Sequence, residues 1–127
     1  AIGLPTTSVG YYTQQALVSD GAAKGVESST HGYASQQAAI DALLSGENDI
    51  AVVYASAAAQ NPKLHVSCVV REDLHEDIRY LAMATRGNLH ARGVEALLKL
   101  LSEDPAAQKT MGGYGYIDRA TAMVENR

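Results

Sequence analysis

The chain has a single cysteine, three prolines and no dense run of basic residues among its 127 positions. One cysteine, Cys68, excludes an internal disulfide and any site built on paired cysteines. It lies in the apolar run 64–70, where a buried strand thiol is expected rather than a nucleophile. The missing basic cluster, together with a formal charge of −4, argues against a nucleic-acid partner. An acidic chain that binds an anion must hold it with local dipoles and hydrogen bonds, not with bulk charge. No apolar run approaches the roughly 20 residues that span a bilayer. There is neither a signal peptide nor an initiator Met, and the chain opens inside a strand-like segment, 1–4; the expectation is that something upstream has been removed.

Catalytic and cofactor motifs are missing as well. His31, His65, His75 and His90 have no metal-ligand spacing, and no pair sits one helical turn apart. Neither a Gly-x-Ser-x-Gly elbow nor a Walker-type phosphate loop occurs. Gly113-Tyr114-Gly115-Tyr116-Ile117-Asp118 starts like a dinucleotide loop but has Asp at the third glycine position and follows a helix. It reads as a helix stop leading into an aromatic plug. Glu72, Asp73, Glu76 and Asp77 read as a solvated turn, not a carboxylate pair. These absences point away from an enzyme, a resident metal or a cofactor.

What is present is a chain with 46% apolar residues, enough for one domain with its own core. A strand over 1–4 is followed by the turn cluster Pro5-Thr6-Thr7-Ser8. Ser8 is expected to cap a helix from Val9 to about Asp20-Gly21. Residues 24–29 are read as short and extended at best. Ser35 caps a second helix from Gln36 to Leu44, stopped by Ser45-Gly46. The continuous apolar run 50–54 predicts a strand buried on both faces, and 55–60 a short helical turn. Further strands are expected at 64–70 and 78–85. An amphipathic helix over 91–101 follows, then a last helix with Asp104 as cap and Pro105 in its first position, ending at Gly112-Gly113. Helices alternating with buried strands predict an α/β fold, a three-layer αβα sandwich with a mostly parallel sheet.

Two loop-to-helix junctions carry the functional signal, Thr6-Thr7-Ser8-Val9-Gly10 and Tyr33-Ala34-Ser35-Gln36-Gln37. The first turn of a helix offers unpaired N–H groups and the positive end of its dipole. Two such ends facing one cleft would hold an anion without formal positive charge. The plainer reading is ordinary capping. Tyr54 closes the 50–53 run at the same expected sheet edge. Its phenol is either a donor to a bound oxyanion or a ring packed at the core boundary.

The residues resemble a known family at this point. Ser8-Val9-Gly10-Tyr11-Tyr12-Thr13-Gln14-Gln15-Ala16-Leu17, the stretch from Gln37 through Leu44-Ser45-Gly46-Glu47-Asn48-Asp49 to Tyr54-Ala55-Ser56, and Arg71-Glu72-Asp73 with Ile78-Arg79-Tyr80, Pro105 and Gly113-Tyr114-Gly115-Tyr116 together resemble the second half of type II periplasmic solute-binding proteins. The likeness is nearest to the molybdate-binding proteins of ABC importers. It implies one lobe of that fold, with residues 1–80 as the second, anion-binding lobe. Residues 81–127 would be a crossing strand and C-terminal helices that normally pack on a first lobe absent from this chain. It implies a ligand set of Ser8, Val9, Gln36 and Tyr54 around a tetrahedral oxyanion, with Gln36 in place of the family's usual apolar residue. It also implies importer membrane subunits as partners, a periplasmic or extracellular location (membrane-associated in a Gram-positive source), and a homodimer or segment swap through the C-terminal helices as cover for exposed apolar surface. The alternatives are a phosphate- or phosphonate-type relative, suggested by the Thr6-Thr7-Ser8-x-Gly10 loop, a ligand-sensing domain of a transcriptional regulator, and an enzyme such as a dehydratase on the same fold.

Overall fold

A computed structural model describes residues 1–87 and 90–116. The fold is α/β, and its regular sheet is a parallel pair, β1 (Ile2–Gly3) and β2 (Gly32–Tyr33), in register Ile2 with Gly32 and Gly3 with Tyr33. Between them run α1 (Ser8–Ser19), the short α2 (Ala23–Val26) and a 3₁₀ turn at Glu27–Ser29. After β2 come α3 (Gln36–Leu44) and α4 (Ala55–Ala59), then a 3₁₀ turn at Glu72–Leu74. The chain divides into two compact units, Ala1–Ile78 and a second beginning at Arg79.

β1 is short because its bonding continues past its ends. Ile2 N–H donates to His31 O at 2.9 Å and Leu4 N–H to Tyr33 O at 2.7 Å. On the opposite edge the Ala1 nitrogen donates to Ile50 O, and Ala1 O accepts from Val52 N–H at 3.0 Å. That pattern is the parallel ladder, so the 50–53 segment lies alongside β1 without forming a strand. The two crossovers therefore leave β1 in opposite directions, one to β2 and one to 50–53. Right-handed crossovers place α1 and α3 on opposite faces of the sheet.

The β1–α1 contact rests on two glycines. A Cβ on Gly10 would collide with the Leu4 and Gly3 carbonyl oxygens, and one on Gly3 would meet Thr7 Oγ1 and Val9 Cγ1. Only without side chains does α1 start directly over the end of β1. The core of the unit is built from small residues: Val9, Ala16, Ala39, Ile40 and Ala42 are buried, with Thr13 the buried polar residue. Thr13 satisfies its hydroxyl by donating to Val9 O at 2.7 Å. Both long helices end on Schellman geometry. Gly21 and Gly46 take φ of 74° and 79°, and Ala22 N–H and Glu47 N–H reach back to Leu17 O and Ala42 O.

Several expectations need correction. Residues 24–29 are helical rather than extended. The runs 50–54, 64–70 and 78–85 are not strands, so the regular sheet is narrower than a three-layer sandwich would carry. A helix bonds within itself, whereas a strand exists only where a neighbour offers a ladder. The 50–53 run has Ala1 for a partner, and neither face is fully buried; Ile50 is 73% exposed. Residues 65–70 are exposed, and Cys68 is an exposed thiol rather than a buried one.

In the second unit α5 (Ala91–Glu103) packs on α6 (Pro105–Gly113). Asp104 caps α6 through Ala107 N–H at 2.8 Å with Pro105 at the helix start, as the sequence indicates. Tyr80 and Tyr116 meet edge to face, 5.2 Å between ring centres. Ile117 and Asp118, and with them the end of the expected 81–127 segment, lie outside the described residues. Among the described residues no helix is long and apolar enough to cross a membrane.

Replacing Gly10 by Ala should lower the unfolding free energy of the first unit by about 2 kcal/mol or more, because backbone carbonyls have no rotamer to escape into. Gly25→Ala, at a helical position with nothing within 4 Å of the added carbon, should stay within about 1 kcal/mol and on the stabilising side. Urea unfolding of the two variants checks this. Equal midpoints would remove the Gly10 contact from the account of the fold.

Candidate functional site

The carboxyl ends of β1, β2 and the 50–53 segment lie side by side, because all three run parallel and β1 is bonded to both neighbours. Each end opens directly into a helix: β1 into α1 through 4–7, β2 into α3 through Ala34-Ser35, and 50–53 into α4 at Tyr54. Where crossovers leave a central strand in opposite directions, a crevice forms at that edge.

The helix starts can be accounted for amide by amide. At α1 the cap is Thr7, one residue earlier than the expected Ser8. Thr7 Oγ1 accepts from Gly10 N–H at 3.1 Å while donating to Leu4 O at 2.7 Å. Thr7 N–H itself donates to Leu4 O at 2.8 Å. Ser8 and Val9 are left as the first-turn amides that the helix itself does not bond. Ser8 is exposed, whereas the Val9 side chain is buried and only its amide is a candidate contact. At α3 the expected cap holds. Ser35 Oγ accepts from Ala38 N–H at 3.1 Å and Ser35 O from Ala39 N–H at 3.2 Å. Gln36 and Gln37 are the corresponding free amides. Neither helix has an acidic residue in its first turn, so nothing there opposes an anion.

Tyr54 and Gln36 are brought together by a bond that no local pattern announces. Gln36 Oε1 accepts from Tyr54 N–H at 2.7 Å. Tyr54 begins α4 without a side-chain cap of its own, and the Gln36 side chain ties it to the start of α3. Among the described residues the Tyr54 hydroxyl and the Gln36 Nε2 have no recorded partner. Sequence reading placed Gln36 at the site through its backbone amide; this use of its side chain spans eighteen positions and leaves no signal in the spacing.

A polar network supports the same edge from behind β2. Tyr33 OH donates to Glu47 Oε1 at 2.8 Å and accepts from Asn48 Nδ2 at 2.7 Å, and Asn48 Oδ1 bonds His31 Nδ1 at 2.9 Å. Desolvation first, and the Glu47 carboxylate second, hold the Tyr33 phenol above its ordinary pKa. It therefore stays protonated and keeps donating. The network fixes the turn after α3 to the strand before it.

The largest groove of the first unit lies elsewhere. It measures about 520 Å³ and runs along α1 beside the 3₁₀ turn, lined by Tyr11, Gln15, Val18, Asp73, His75 and Glu76 among others. None of Ser8, Val9, Gln36 or Tyr54 lines it, it is widely open to water, and it carries two carboxylates. It suits an anion poorly. Among the described residues no cluster of three or more His, Cys, Asp or Glu is placed to hold a metal ion.

A family model described as bacterial extracellular solute-binding protein matches residues 1–117. No curated protein and no solved structure matches the chain.

Removing either cap side chain, Thr7→Ala or Ser35→Ala, should cost about 1 kcal/mol, and the double variant should lose the sum within about 0.5 kcal/mol, since the two bonds share no partner. Chemical unfolding of the three variants reads this directly. A Thr7→Ala variant as stable as the parent would return the cap to Ser8.

Proposed function

Because the chain belongs to the bacterial extracellular solute-binding protein family, we propose that its solute is a tetrahedral oxyanion of the molybdate or tungstate type, held by neutral donors at the shared edge of β1, β2 and the 50–53 segment. The family membership itself carries extracellular or periplasmic solute binding in the service of transport. The anion, the importer membrane subunits as partners, and a place as one lobe of a type II fold with a wider αβα sheet are the finer parts of the proposal.

One observation carries it. Two helix starts and Tyr54 end at adjacent parallel segments, and capping by Thr7 and Ser35 leaves the amides of Ser8, Val9, Gln36 and Gln37 as donors without a helical acceptor. α1 has no charged side chain and α3 only Asp41. An anion there is met by helix dipoles and N–H groups. Neutral donors hold a dianion well only where water is excluded. The proposal therefore includes a second surface that closes over the edge, contributing the other half of the ligand shell.

Phosphonate-type recognition by the Thr6-Thr7-Ser8 loop is disfavoured by the Thr7 hydroxyl, which is spent on Gly10 N–H and Leu4 O. Catalysis has no support in the site, which offers donors but no carboxylate or imidazole beside them.

Titration calorimetry on the intact gene product should rank molybdate and tungstate above sulfate and phosphate. Preference for phosphate or a phosphonate would replace the anion assignment, and no heat with any oxyanion would remove the proposal entirely. Tyr54→Phe should weaken molybdate binding roughly 10- to 100-fold, the worth of one hydrogen bond to a charged acceptor. Unchanged affinity takes the phenol out of the site.

A further inference from the structure

We infer that the Gln36 side chain is the specificity element of this site, selecting anions that carry no proton. The inference rests on the proposed oxyanion site and adds to it. A backbone N–H bonds only to an acceptor, so the 2.7 Å contact from Tyr54 N–H to Gln36 Oε1 fixes which end of the carboxamide faces Tyr54. The Nε2 end is turned away from that amide, with two hydrogens and no recorded partner among the described residues. Gln36 is half-buried, so a wasted donor pair there costs free energy unless something accepts from it.

The consequence is an imbalance between donors and acceptors. The amides of Ser8, Val9, Gln36 and Gln37 can only donate, and so can Gln36 Nε2. The one side-chain carbonyl at this edge is already spent on Tyr54, and Thr7 Oγ1 and Ser35 Oγ accept from their own helices. A guest bearing an O–H, such as hydrogen phosphate or a monoprotonated phosphonate, would point its proton at donors. A fully deprotonated guest such as molybdate, tungstate or sulfate meets an acceptor requirement at every oxygen. Unpaired groups in a closed site discriminate more strongly than size does.

Gln36→Glu separates the two functions of the side chain. It keeps an oxygen for Tyr54 N–H and replaces the donor pair by an acceptor with negative charge. At neutral pH the variant of the intact protein should unfold at the parent's urea midpoint, lose molybdate affinity by on the order of 100-fold, and lose less for phosphate, so that the phosphate-to-molybdate ratio rises. A role limited to tethering Tyr54 would leave that ratio where it was. Molybdate affinity within about 3-fold of the parent would overturn the inference while leaving the oxyanion site standing. A parent protein that binds no oxyanion would fell the site itself. Should the variant not fold, the parent still decides: the Gln36 Nε2H₂ resonances in a ¹⁵N spectrum should move on adding molybdate, and resonances unmoved at saturation would overturn it.

Discussion

Everything placed at the candidate site depends on β1 being bonded along both edges. Residues 1–4 give hydrogen bonds to His31 and Tyr33 on one side and exchange them with Ile50 and Val52 on the other. Parallel pairing brings three chain ends to one level, and each end is followed at once by a helix start. Antiparallel pairing would have sent one of those ends to the far side. The two glycines complete the constraint, since α1 begins over β1 only because neither Gly3 nor Gly10 carries a Cβ. A residue pattern as short as Ile2-Gly3-Leu4 thus sets where Val9 and, through β2, where Gln36 must lie.

The helices were legible because their information is local. Ser35 and Asp104 cap the helices they were expected to cap, and Gly21 and Gly46 stop theirs in the left-handed conformation. The one capping error, Ser8 for Thr7, is a choice between adjacent hydroxyls that loop geometry decides. The strands were much less legible. Runs 64–70 and 78–85 have strand composition, yet β-propensity mostly measures fit to a neighbouring surface, and the described residues give those runs no ladder. Val69 at 81% exposure shows how little composition decides without a partner. The same reasoning misplaced Cys68. At the site, backbone roles followed from where helices start, while the side-chain bond from Gln36 to Tyr54 is a tertiary fact that only the fold reveals.

An acidic protein that takes an anion faces a choice of donors. Lys or Arg would bring charge and long, rotamer-rich side chains; backbone amides at helix starts bring partial charge already fixed in place. The arrangement here uses the second solution, with Thr7 and Ser35 taking one amide from each helix and leaving two. Capping and ligand binding therefore do not compete. The side-chain cap reaches the third amide of the turn, and the first two remain turned toward the strand ends. The plain reading of those junctions as caps and the functional reading are both satisfied by the same geometry.

That economy ties binding to stability. The buried core of the first unit is Val9, Ile40, three alanines and Thr13, a small apolar volume for a segment of this length, and small cores leave little margin. The bonds that hold the site edge together (Thr7 to Gly10, Ser35 to Ala38, Gln36 to Tyr54) are a substantial part of what fixes its tertiary arrangement. A guest that binds only this arrangement stabilises it by mass action, by about 2.7 kcal/mol at a hundredfold excess over its dissociation constant. For a unit with so small a core, that increment is comparable to several caps. Closing the edge around a solute and completing the fold then become the same process, and the side chain that serves both, Gln36, is where a change of solute has to be made.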